Sequence, residues 1–215
     1  MAVKVQGRKG MYRNLTFGLL TLLFTISIGV TAFGGQYEDA KAAFIRGDYE
    51  EAYRLIKPLA EQGDADAQWN LGSMYALGQG VPQDYTKAVK WFRKAAEHGN
   101  AEAQSNLGFM YKIGRGVPQD DTEAVKWYRK AAEQGLADAQ YNLGVMYAKG
   151  QGVPQDYILA HMWFNLAVLR LPASEGEKRE QAVKERDIVA SKMTPAQITE
   201  AERLAREWKP KKEGK

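Results

Sequence analysis

The sequence predicts an all-α protein built as a row of antiparallel helix pairs, about ten helices in all, and three observations carry that prediction. Trp91, Trp127 and Trp163 stand 36 residues apart; Leu71-Gly72, Leu107-Gly108 and Leu143-Gly144 keep the same step, as do Pro82, Pro118 and Pro154. Residues 77–112 and 113–148 are identical at 25 of 36 positions. Within the period, Ala103, Leu107, Gly108 and Tyr111 recur with helical spacing, on one face. A fixed period of this length marks supersecondary units that stack on one another, and such an array works through a surface.

Residues 1–32 stand outside the array. Lys4, Arg8, Lys9 and Arg13 precede an uncharged stretch over 15–30, and Val30 and Ala32 supply small residues before a cut after Ala32. This is the pattern of an export signal, with a cut near Gly34 as second choice. Thr16, Gly18, Thr21, Thr25, Ser27 and Gly29 make the stretch weakly apolar for a membrane span, which needs about 20 residues. An uncleaved anchor is the alternative. Either way residues 33–215 are expected outside the inner membrane, periplasmic or secreted, with no membrane contact after cleavage.

The chain carries 30 basic and 26 acidic side chains, a net +4. Four of the bases and none of the acids lie in 1–32, so the remainder is balanced at 26 against 26. The basic balance belongs to the signal, and no nucleic-acid partner is expected. Lys209, Lys211, Lys212 and Lys215 form the one remaining basic run, read as a flexible, solvated tail over 209–215. There is no cysteine, which excludes disulfides, lipid attachment after signal cleavage, thiol nucleophiles and thiolate metal sites.

The array proper divides into a shortened N-terminal capping repeat over 33–63, repeats over 64–99, 100–135 and 136–171, and capping helices over 172–208. In the middle repeat Asn100 is the N-cap of the first helix, Gly114 and Gly116 end it, and Val117-Pro118 carries the turn. Asp120, with Glu123 three residues on, starts the second helix, whose buried stripe is Ala124, Trp127, Tyr128, Ala131 and Ala132; Gly135 closes it. The tryptophan is read as the filler between the two paired helices, facing small residues. In the first unit Leu55 replaces it, and the turn shrinks to Arg46-Gly47. Beyond the repeats, Ser174 with Glu177 and Thr194 with Gln197 read as capping boxes, with Pro195 in the first helical turn.

The recurring pattern Ala-x-Ala-Gln-x-x-Leu-Gly-x-x-Tyr-x-x-Gly-x-Gly-Val-x-x-Asp-x-x-x-Ala-x-x-Trp-x-x-x-Ala-Ala-x-x-Gly resembles the Sel-one-like repeat, a relative of the tetratricopeptide repeat. It stands at 65–99, 101–135 and 137–171, and the last copy departs at its end with Asn165-Leu166-Ala167-Val168. The resemblance implies a right-handed α-solenoid whose concave face is formed by the first helices, and adaptor or assembly roles. One cysteine-rich branch is linked to β-lactam binding; its paired cysteines are missing here.

The copies differ from one another along one face of the first helix: Asp66/Glu102/Asp138, Trp69/Ser105/Tyr141, Ser73/Phe109/Val145 and Ala76/Lys112/Ala148. The constant positions Ala67, Leu71, Gly72 and Tyr75 point the other way. This varied stripe is read as the partner surface, formed by Trp69, Ser73, Ser105, Phe109, Lys112, Tyr141 and Val145, with Trp69, Phe109 and Tyr141 as exposed aromatic anchors. Asn70, Asn106 and Asn142 run beside it, either as a ladder for a peptide backbone or as structural bonds to neighbouring repeats.

No catalytic constellation emerges. His98 and His161 occupy non-equivalent positions, His161 as a packing residue on a second helix. Carboxylates such as Asp84, Asp120 and Asp156 fall at helix starts, where capping explains them, and no glycine loop follows a strand. No metal, cofactor or catalysis is expected. The reading is a monomeric, extracytoplasmic module that binds a protein or peptide on the concave face. A cell-wall enzyme, a β-lactam binder and a membrane-tethered assembly factor are the alternatives.

Overall fold

A computed structural model of the protein describes residues 34–211; the predicted export signal lies outside them. Among the described residues there are ten α-helices, one 3-10 turn and no strand. The helices are α1 Gly34–Ile45, α2 Tyr49–Glu61, α3 Ala65–Leu77, α4 Tyr85–Glu97, α5 Ala101–Ile113, α6 Asp121–Glu133, α7 Ala137–Lys149, α8 Tyr157–Arg170, α9 Gly176–Ala190 and α10 Pro195–Glu207. The 3-10 turn, Ala173–Glu175, precedes α9. α1 to α8 form four successive pairs, and the second helix of each pair packs on the first helix of the next. This is the α-solenoid that the period predicts. α9 and α10 both pack on α8 and close the row.

Local signals set most boundaries. Asn100 accepts the Ala103 N–H at 2.7 Å, and Asp120 accepts those of Thr122 and Glu123 at 2.9 and 3.0 Å. Gly114 ends α5 in the left-handed region at φ 65°. Thr194 and Gln197 form the reciprocal capping box of α10. The box read at Ser174 and Glu177 does not form. After Pro172 the chain makes the single 3-10 turn, and Glu175, drawn to Lys178 at 2.6 Å, stands at the N-cap of α9 without a side-chain cap bond.

Packing within a pair rests on the residue after the tryptophan. A Cβ on Gly72 would lie 2.7 Å from the Phe92 ring, one on Gly108 3.0 Å from Tyr128, and one on Gly144 2.8 Å from Phe164. Each glycine thus lets an aromatic ring come into close contact with the first helix of its own pair. The tryptophans fill the space beside the paired helix and reach beyond it. Trp127 belongs to a cluster with Leu107 and Met110 of its paired helix α5 and with Val89 and Phe92 of the pair before it, and Trp91 packs likewise against the cluster of α1, α2 and its paired helix α3. Helical phase explains the difference. Neighbouring residues on one buried stripe lie about 100° apart, so the ring after the tryptophan is centred on the glycine of the partner helix while the tryptophan spans that helix and the adjacent pair.

Two further devices fix the stacking. Gln68, Gln104 and Gln140, all buried, donate from Nε2 to the carbonyls of Ala60, Ala96 and Ala132, each at 3.1 Å. These carbonyls lie in the last turn of the preceding helix, where each also accepts the N–H of the closing glycine, Gly63, Gly99 or Gly135, and the glutamine takes the second acceptor site. The turn of each pair also rests on the pair before it. A Cβ on Gly80 would lie 2.1 Å from the Tyr49 carbonyl oxygen, and those on Gly116 and Gly152 would lie 2.2 Å from the carbonyls of Tyr85 and Asp121.

Candidate partner surface

The varied stripe is largely an inter-helix joint. Trp69 is 7% exposed and lies in the cluster built on Phe92, Leu107 and Met110. It is therefore not an exposed anchor: the neighbouring pair covers it. Ser73 is fully buried and donates to the Trp69 carbonyl at 3.0 Å; Ser105 and Val145 are buried too. Tyr141 is half-buried, its ring 5.6 Å from that of Phe164, and it sits beside Val145 and Val189 under the C-terminal cap. Burial, with the nearby Glu185 carboxylate, pushes the Tyr141 phenol up to about 12.

Besides Tyr141, four predicted residues keep access to solvent. Asn106, Phe109 and Lys112 on α5 and Asn142 on α7 are each partly exposed. Burial and the charge of Lys149 hold the Lys112 ammonium below its ordinary range. The asparagines do not act alike. Asn70 is buried and donates to the Asp66 carbonyl at 2.9 Å and the Tyr37 hydroxyl at 3.0 Å, a structural role in the first joint.

The acids at the same end of the stripe are desolvated. Burial raises the carboxyl of Asp66, with Asp64 adding to it, and burial also raises that of Glu102. Asn100 donates to Asp66 at 2.9 Å, while Asp138 is held by Lys178 of α9 at 3.2 Å. A feature that residue classes alone did not bring out is the glutamine set at the joints. Its signal was the recurrence of Gln68, Gln104 and Gln140 in phase with the period.

The two histidines sit in different settings. His98 is exposed at the C-cap of α4, whereas His161 is 4% exposed on α8, with its Nδ1 buried and unpartnered. Among the described residues no group of three metal-ligating side chains converges, and no helix is long and apolar enough to cross a membrane.

Paired helices, a 36-residue period and glutamine joints define a helical-repeat solenoid. The sequence profile of the Sel1 repeat matches residues 37–64, 65–100, 101–136 and 137–170, and the chain belongs to the Sel1 repeat family. The solved structure of a protective antigen present in uropathogenic Escherichia coli strains, which displays an SLR fold, is similar at 40% identity and a TM-score of 0.71. The match covers 82% of this chain and 37% of that one, so the protein spans little more than a third of the antigen's length. A Sel1 repeat protein from Oxalobacter formigenes is similar at 31% identity and a TM-score of 0.61, over 73% of this chain and 68% of that one. No curated protein matches. Sel1 repeats are in general protein–protein interaction modules and typically non-enzymatic scaffolds.

Proposed function

We propose that the protein is a non-enzymatic, extracytoplasmic adaptor that binds a protein or peptide along its first-helix face, through Asn106, Phe109 and Lys112 of α5 and Asn142 of α7. Phe109 carries this reading. Its counterparts Ser73 and Val145 are buried, yet the middle pair presents a partly exposed phenyl ring at the same position. An aromatic ring left in water gains by being covered, and buried aromatic anchors dominate protein interfaces. The amides of Asn106 and Asn142 can donate and accept at once beside it.

A photo-crosslinking side chain at position 109 should capture a discrete partner from cell-envelope material, while one at the exposed Lys90 should not. Equal capture from both positions would refute the reading. The extracytoplasmic assignment is supported by the basic start, apolar run and small residues of 1–32. N-terminal sequencing of the exported form should find a start near Phe33; an unprocessed chain would mean a tether instead.

A further inference from the structure

Residues 208–211 leave α10 and lie against the seam between the second and third repeats, so the predicted solvated tail is held at least as far as Lys211. The Trp208 indole stands edge-on to Trp163, with ring centres 6.2 Å apart, and the Arg170 guanidinium lies 4.3 Å over its ring. Trp208 and Pro210 each come within 3.8 Å of the point where a Cβ on Gly135 would sit. Lys211 donates its backbone N–H to the Glu133 carbonyl at 2.8 Å and sets its ammonium on the Glu133 carboxylate at 3.0 Å. This corner therefore recognises an aromatic residue, a proline two residues on and a lysine next, in extended conformation.

The period reproduces the same corner twice. One step back it is Trp127, Gly99 and Glu97; two steps back it is Trp91, Gly63 and Glu61. The middle corner is closed by Gln134, which stands where Arg170 does and donates to the Gly99 carbonyl at 3.0 Å and to Oε1 of Gln104 at 2.8 Å. In the first corner that place is taken by His98, which is exposed. No described atom lies within 4 Å of a Cβ built on Gly63. Glu61 is exposed, Trp91 is partly exposed, and the Lys94 ammonium lies 4.4 Å over its ring. Oε1 of Gln68, the counterpart of the Gln104 acceptor that Gln134 satisfies in the middle corner, is buried without a partner, as is Oε1 of Gln140 beside the occupied corner. The first corner thus shares its tryptophan, glycine, glutamate and unpaired acceptor with the corner that the chain fills itself, and has Lys94 and His98 where that corner has Leu166 and Arg170.

We propose that the Trp91–Gly63–Glu61 corner is a docking site for an extended segment of a partner protein with the chemistry of residues 208–211: an aromatic ring, a proline and a lysine. The proline fixes an extended φ before binding, which lowers the ordering cost, and the lysine makes a charge-assisted bond to Glu61. The site is separate from the Phe109 face, so either can fail without the other.

The test is a labelled peptide of residues 208–215, Trp-Lys-Pro-Lys-Lys-Glu-Gly-Lys, titrated into the full-length chain. It should bind saturably, and Glu61→Lys should weaken it about fivefold or more, whereas Glu97→Lys at the closed corner should leave it unchanged. His98→Gln is the second variant. Its amide can reach the Gly63 carbonyl and Oε1 of Gln68, closing the corner as Gln134 does and abolishing binding while the protein stays folded. No saturation up to about 1 mM would overturn the proposal, as would binding that neither Glu61→Lys nor His98→Gln changes. Binding only to a chain truncated after Glu207 would also overturn it, because the third corner would then be the sole site.

Discussion

Gly116 combines φ 73° with a close approach of 2.2 Å between its absent Cβ and the Tyr85 carbonyl oxygen. Gly116→Ala should cost about 2–5 kcal/mol, the left-handed penalty plus the overlap with backbone, measured as a shift in urea midpoint. Gly47→Ala, at φ 79° but in open space, should cost only about 1–2 kcal/mol. Equal losses would show that the contact contributes nothing. Trp69→Ala should cost about 3–5 kcal/mol by leaving a cavity, with no specific effect on a partner. Local signals at this scale were legible: Asn100, Gly114 and Thr194 act on their own helix ends. Trp69 was not, because a residue that differs between copies can face solvent or face a neighbouring pair that differs too. Spacing on one helix does not distinguish these cases.

At the scale of elements, α8 is the hub of the C-terminal end, and His161 is its weak point. The residue stands where Val89 and Val125, both buried, join earlier second helices to the row. Burial and Arg186 of α9 hold the imidazole below its ordinary value, against Glu202 of α10 and Asp187 of α9, which favour its charge. The unfolded chain therefore takes up the proton first. The resulting loss of stability sets in as pH falls through the ordinary histidine value near 6.5 and deepens toward the lower folded value. His161→Val should remove that acid loss between pH 7 and 5 and add about 1–3 kcal/mol at neutral pH by deleting an unpaired buried polar atom. Thermal melts at the two pH values decide it; an unchanged pH dependence would clear His161 of the role. Truncation after Glu207 should lower stability by about 1–2 kcal/mol, since it removes one aromatic pair and one cation–π contact. The strap was illegible in sequence because a lysine-rich end resembles any solvated tail. What holds it is Glu133, 78 residues away along the chain.

For the molecule as a whole, stability is the sum of pairs and joints along one direction. Deleting residues 101–136 would place Asn100 before Ala137 and give α7 the side-chain cap that Leu136 does not provide. Gln140 would then face Ala96 in place of Ala132, the same chemistry at the joint. The shortened chain should fold in one cooperative transition, with a lower midpoint and undiminished helicity per residue by circular dichroism. An aggregated or unfolded product would show that the pairs are not interchangeable. The repeat period made this architecture legible before any coordinate, because each unit buries its face on a copy of itself. The partner surface was less legible, since the structure buries half of its ten predicted residues against neighbouring helices. Identical joints have one more consequence, for heredity. Two coding stretches that specify 25 common residues in 36 can pair out of register during recombination, and the products, longer or shorter by one unit, would inherit the same glutamine bond at every seam.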